Sequence, residues 1–172
     1  YPPAAQSSDL QRLDCRVYTF AGWVSGTLLF TTNALLLDYL NRNETVLRLG
    51  DARIPGQEKR HPTFIVERAA VVAVVPDDLV HKPEIERHLI SSRRLIEHRV
   101  SWLLPGGGIV EGVLDMLEGV HMDEFLAHRT KFLALRDCTL FLPDGAGGTT
   151  VEPAVPWVAL QTNRAVGVSE IG

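Results

Sequence analysis

"VSGTLLFTTNALLLDYLNRNETVLRLGDARI" (residues 24–54) and "VEGVLDMLEGVHMDEFLAHRTKFLALRDCTL" (residues 110–140) align without a gap, with Gly112 lying 86 positions after Gly26. Val24/Val110, Gly26/Gly112, Leu28/Leu114, Leu40/Leu126, Leu47/Leu133, Leu49/Leu135 and Asp51/Asp137 are identical. Leu36/Met122, Asp38/Glu124, Tyr39/Phe125 and Ile54/Leu140 keep their character. So ordered a coincidence of apolar, glycine and aspartate positions reads as a tandem duplication, and a repeat constrains the fold before any motif does.

The match extends outward. "RVYTF" (16–20) corresponds to "RVSWL" (99–103), and "TFIVERAAVVAV" (63–74) to "VALQTNRAVGV" (158–168), after the longer loop "LPDGAGGTTVEPAVP" in the second copy. Each unit then reads as a strand, a turn, a second strand and about two helical turns ("NALLLDYLNR", "GVHMDEFLAH"). In those turns Leu36, Tyr39 and Leu40, like Met122, Phe125 and Leu126, fall at i, i+3, i+4 on one helix face. A third strand follows, in which Leu47/Leu49 and Leu133/Leu135 alternate inward. Two short strands joined by a tight turn close the unit. The expected fold is mainly β: two five-stranded, small β-barrel-like repeats, each with a short helix between its second and third strands. Barrels of that size bury their surface incompletely, so pairing with pseudo-two-fold symmetry is expected.

The predicted organisation is a flexible lead-in over 1–13, a first repeat over 14–77, a connecting segment over 78–98 and a second repeat over 99–170. In the connector, Pro83 suits a first helical turn, and Ile85, Leu89, Ser92 and Ile96 have helical spacing, which predicts a helix across the pair.

Bulk composition narrows the function. With 45% apolar and 22% charged residues among 172, the chain can bury a core. A net charge of −4 gives no global basic field for nucleic acid or an anionic membrane. No apolar run approaches the roughly 20 residues a membrane-spanning helix needs. Cys15 and Cys138 form no CxxC and have no metal-ligand spacing, so both read as small buried residues. "YPPAAQSS" carries no signal-peptide apolar core, and a cytoplasmic location is expected.

Gly106, Gly107 and Gly108 in "LLPGGGIVEG" could cradle a phosphate if they led into a helix N-terminus. They lead instead into the alternating "IVEGVL", and the first copy has "FAGWVSG" at the matching place, so a hairpin turn is predicted, with Gly106, Gly107 and Gly108, like the arginines of 87–99, as candidate interaction residues. Gly26, Gly112, Asp51 and Asp137 are read as structural repeat residues, the aspartates hydrogen-bonding local backbone at a bulge or turn. His121, Asp123 and His128 have no HExxH spacing and no duplicate in the first copy, and no serine lies in a GxSxG elbow. Neither a cofactor nor a metal is expected. Arg87, Arg93, Arg94 and Arg99 make one basic stretch, interleaved with Glu84, Glu86 and Glu97, which points to a solvated, self-neutralised face.

"MDEFLAHRTKFLALRDC" (122–138) and, less closely, "LLDYLNRNETVLRLGDA" (36–52) resemble a bacterial small-barrel domain of unknown function that carries an "LSDLLN"-type helix. In strand order the units resemble Sm-like and SH3-like barrels. The resemblance implies a fold and brings no catalytic residue with it. The expected function is a non-enzymatic interaction module, an accessory or assembly subunit whose partner is another protein or a second copy. RNA or phosphate-ligand binding along residues 87–99, and an enzyme site formed between the repeats, are the alternatives.

Overall fold

In the computed structural model of the chain, residues 10–31, 35–42, 45–77, 94–127, 132–144 and 146–172 are described. Among these residues, runs of leucine and β-branched residues at period two give ten strands, and the apolar i, i+3, i+4 sets give two short helices. The elements are β1 (Leu10–Thr19), β2 (Gly22–Thr31), α1 (Leu36–Asn41), β3 (Val46–Arg53), β4 (Arg60–Glu67) and β5 (Val71–Pro76). Then come β6 (Leu95–Leu103), β7 (Ile109–Leu117), α2 (Met122–Ala127), β8 (Phe132–Pro143), β9 (Thr149–Gln161) and β10 (Gly167–Glu170). One 3-10 turn, Arg68–Ala70, joins β4 to β5, and another, Thr162–Arg164, joins β9 to β10.

All ten strands belong to one open antiparallel sheet in the order β10-β6-β7-β8-β9-β5-β1-β2-β3-β4. The order runs in one direction through both halves: the last strand of each half, then its first to fourth. A two-fold arrangement would give a mirrored order, so the expected pseudo-two-fold packing is corrected to a head-to-tail one. The halves also do not close as separate barrels. β4 and β5 do not pair; the 3-10 turn carries the chain from one edge of its half to the other, and β5 pairs with β9 of the second half.

Pairing is in step between the halves, and it moves two correspondences expected from the sequence: Val17 and Tyr18 match Trp102 and Leu103 rather than Val100 and Ser101, and Thr63 matches Trp157 rather than Val158. Leu47 lies opposite Val66 as Leu133 lies opposite Leu160, and Tyr18 lies opposite Ala73 as Leu103 lies opposite Gly167. The repeated glycine and aspartate explain the bend of each half. Between Ser25 and Thr27, and between Glu111 and Val113, the ladder to the next strand slips at Gly26 and Gly112. Across from the slips, Asp51 and Asp137 hold φ of 49° and 50°, the left-handed region that aspartate tolerates better than most residues. A Cβ at Gly26 would lie 3.0 Å from the Gly50 carbonyl oxygen, and one at Gly112 would lie 2.9 Å from Cys138 Sγ. Only glycine lets the bulged strand approach so closely.

Three predicted boundaries move. β1 begins at Leu10, and residues 10–13 pair with residues 28–31, so the hairpin reaches into the expected lead-in. Leu95–His98, placed in the connecting helix, are the start of β6 and pair with residues 114–117. The alternation of "LIEHRVSWL" prevails there over helical spacing; the rest of the connector, residues 78–93, lies outside the described residues. The loop expected over 141–156 is mostly strand: β8 runs to Pro143 and β9 starts at Thr149. The ladder slips between Cys138 and Leu140, and Pro153, which cannot donate to it, sits within that bulge beside Ala154 at φ 59°.

Candidate functional site

Two cores flank the β5–β9 seam. The first gathers Leu13, Val17, Leu28, Leu40 and Leu49 from the first half, and the second gathers Trp102, Val110, Leu114, Met116 and Leu140 from the second. β5 is buried on both faces, with Val71 and Val74 in the first core and Val72 and Val75 in the second. β9 likewise sends Trp157 and Ala159 into the first core and Val158 and Leu160 into the second. An all-apolar run such as "VVAVV" is the signature of a strand covered on both faces.

Polar contacts fasten this joint. Asn41, at the end of α1, donates to the Phe132 carbonyl at 3.0 Å and accepts from the Phe132 N–H at 2.8 Å. Arg16 in β1 donates twice to the Glu152 carboxylate of β9, at 2.6 Å each, and also approaches Asp77 at 3.7 Å. Those hydrogen bonds hold the Glu152 carboxyl below its ordinary pKa, while burial raises that of Asp77. The Arg68 guanidinium lies 5.7 Å from the centre of the Phe132 ring. The Gln161 amide, turned with its NH2 toward them, donates to the Val71 and Arg68 carbonyls.

The predicted site residues divide between this seam and the surface. Gly106 and Gly107 hold φ of 84° and 89° in a turn closed by Leu104 N–H to Gly108 O at 2.7 Å. Tyr18 of the first half donates to the Pro105 carbonyl at 3.2 Å, so the 104–108 turn docks on the other half of the same chain. Arg94 and Arg99 are exposed; Glu97 is beside them in sequence, and Ile171 donates to the Arg99 carbonyl at 2.9 Å. Arg87 and Arg93 lie outside the described residues. The structure therefore brings the glycine turn to the seam and leaves Arg94 and Arg99 at the surface.

Burial pushes the Cys15 and Cys138 thiols up to about 12, which leaves them protonated and unreactive at neutral pH. Among the described residues, no group of three His, Cys, Asp or Glu side chains is placed to hold a metal ion, and no helix is long and apolar enough to cross a membrane. Between the halves, where an enzyme site was one expectation, Phe132, Trp157 and Ala159 pack among apolar neighbours.

No sequence motif marks the outer strands. β4 and β10 end the sheet, and among the described residues each pairs on one side only. Ile65 in β4 is 54% exposed, and Val166, just before β10, is 65% exposed. The signal lay in the contrast between "VVAVV" (71–75) and its counterpart "AVGVS" (165–169), the first apolar throughout and the second interrupted by Gly167 and Ser169. No family model, curated protein or solved structure matches the chain.

Proposed function

We propose that this chain is a non-enzymatic assembly module: two tandem five-stranded repeats joined in one sheet that serve as an accessory subunit and bind protein through the outer strands. The observation that carries this reading is that β4, with Ile65, and β10, next to Val166, each pair on one side only among the described residues. Exposed backbone donors and acceptors beside apolar side chains form the surface that strand addition uses. The buried, protonated thiols weigh against a cysteine nucleophile, and the acidic net charge weighs against nucleic acid.

A photo-crosslinking residue placed at Ile65 or Val166 in the native cell tests this. Protein adducts are expected from both positions and not from Val151, an exposed apolar residue elsewhere on the sheet. Equal labelling at all three positions, or none, overturns the reading. RNA retention that falls with salt and vanishes on reversing Arg93 and Arg94 would favour the basic segment instead.

A further inference from the structure

We propose that copies of this chain join head to tail, β10 of one adding to β4 of the next in the register that β5 and β9 use inside the chain. The proposal rests on the assembly reading above and names its partner as a second copy.

The internal joint is the template. There Ala73 lies opposite Leu160 and Val74 opposite Ala159. Pairing within each half fixes the counterparts at the outer edges. Ala73 and Val74 face Tyr18 and Val17, as Gly167 and Val168 face Leu103 and Trp102. Leu160 and Ala159 face Leu133 and Ala134, as Val66 and Ile65 face Leu47 and Arg48. The joint between copies therefore pairs Gly167 with Val66 and Val168 with Ile65. Because these edges lie at opposite ends of one sheet, each needs a second molecule, and the contact repeats in one direction as a ring or a filament.

Surfaces that the joint covers have uncovered counterparts. Val72 is 0% exposed and Val166 is 65%; Ala159 is 0% and Ile65 is 54%. α1 buries Leu36, Tyr39 and Leu40 and is clamped to β8, whereas Met122 and Phe125 of α2 are only half-buried. Charge is complementary as well. Leu37 and Ala134, both packed on the first core at the joint, correspond to Asp123 and Arg48, opposite charges on opposite edges. Ser169 in place of Val75 and Glu67 in place of Gln161 make the outer edges more polar, so the association is reversible and depends on concentration.

Light scattering coupled to size exclusion, on the full chain from about 1 μM to about 500 μM, reads the assembly. Mass should rise with concentration in steps of 19.0 kDa. Ile65→Asp or Val166→Asp should each weaken association at least about tenfold, with circular dichroism and melting unchanged because both side chains stand in solvent. Register is read by mixing Ile65→Cys protein with Val168→Cys protein under mild oxidation. That pair should form an interchain disulfide at least about tenfold faster than Ile65→Cys with Glu170→Cys, since only the first pair is in step. A monomer at every concentration, or assembly indifferent to both aspartates, overturns the proposal. If the chain stays monomeric while Ile65 still crosslinks a different protein, the self-assembly proposal falls and the assembly-module reading stands. If neither occurs, both fall.

Discussion

At the seam between the halves, β5 and the Trp157–Gln161 end of β9 are buried on both faces. At the ends of the sheet, their counterparts β10 and β4 keep one face in water. The backbone geometry is shared and the side chains differ: Trp157 corresponds to Thr63, Ala159 to Ile65, Gln161 to Glu67 and Phe132 to Val46. The same strand position thus serves as a dry internal joint or a wet outer edge, depending on a few residues of one face.

The strongest way to break this contrast is at Trp157, which is 1% exposed in the first core. Trp157→Ala should cost about 3–5 kcal/mol in urea unfolding, by lost burial and the cavity left behind. Thr63→Ala, at the exposed counterpart, should change stability by less than about 0.5 kcal/mol. Comparable costs at the two positions would dissolve the distinction between joint and edge.

Next come the bulges. Gly112→Ala and Gly26→Ala should each lose about 1–3 kcal/mol in the same unfolding measurement, because the added Cβ meets Cys138 Sγ at 2.9 Å or Gly50 O at 3.0 Å. A loss in one half alone would mean that the halves bend by different means.

A smaller effect is expected at the Asn41 clamp. Asn41→Ala leaves the Phe132 N–H and carbonyl without their side-chain partner and should cost about 1–2 kcal/mol by thermal or urea melts. The counterpart position is Ala127, and Ala127→Asn should tighten association between copies several-fold in light scattering while leaving monomer stability unchanged.

The smallest effect concerns Glu152. Arg16 holds the folded-state carboxyl below its ordinary pKa, so the folded protein binds its proton less readily than the unfolded chain. That contribution is present above the ordinary carboxylate range and is lost as pH falls through the depressed value. Glu152 is partly solvent-exposed, so the pair contributes less than about 1 kcal/mol. Stability measured at about pH 7 and about pH 3 should differ less in Glu152→Gln than in the parent chain.

Much of the fold within each half was legible. The shared spacing of Gly26 and Gly112 to Asp51 and Asp137 survives because a bulge needs a residue without Cβ facing one that accepts positive φ. The helix faces were legible because leucine and aromatic residues repeat at i, i+3, i+4. The relation between the halves was not. Strand order across a joint depends on which edges meet, and Ala73 opposite Leu160 leaves no local pattern in either segment. Leu95–His98 misled because Ile96 continues a helical spacing while the same residues alternate in a strand. The loop expected between β8 and β9 is shorter than the repeat alignment left it, because a bulge at Pro153 and Ala154 lets β9 carry residues that have no counterpart in β4. The edges carrying Ile65 and Val166 were legible only by subtraction, as positions less apolar than their counterparts.

The first core draws Phe132, Trp157 and Ala159 from the far half of the chain. During synthesis, the first half therefore leaves the ribosome with an unfinished interior, and the edge of β5 stays bare until residue 159 has been made. Maturation of the first half is tied to synthesis of the second, and a chain that stops before Trp157 exposes apolar strands for chaperones to hold.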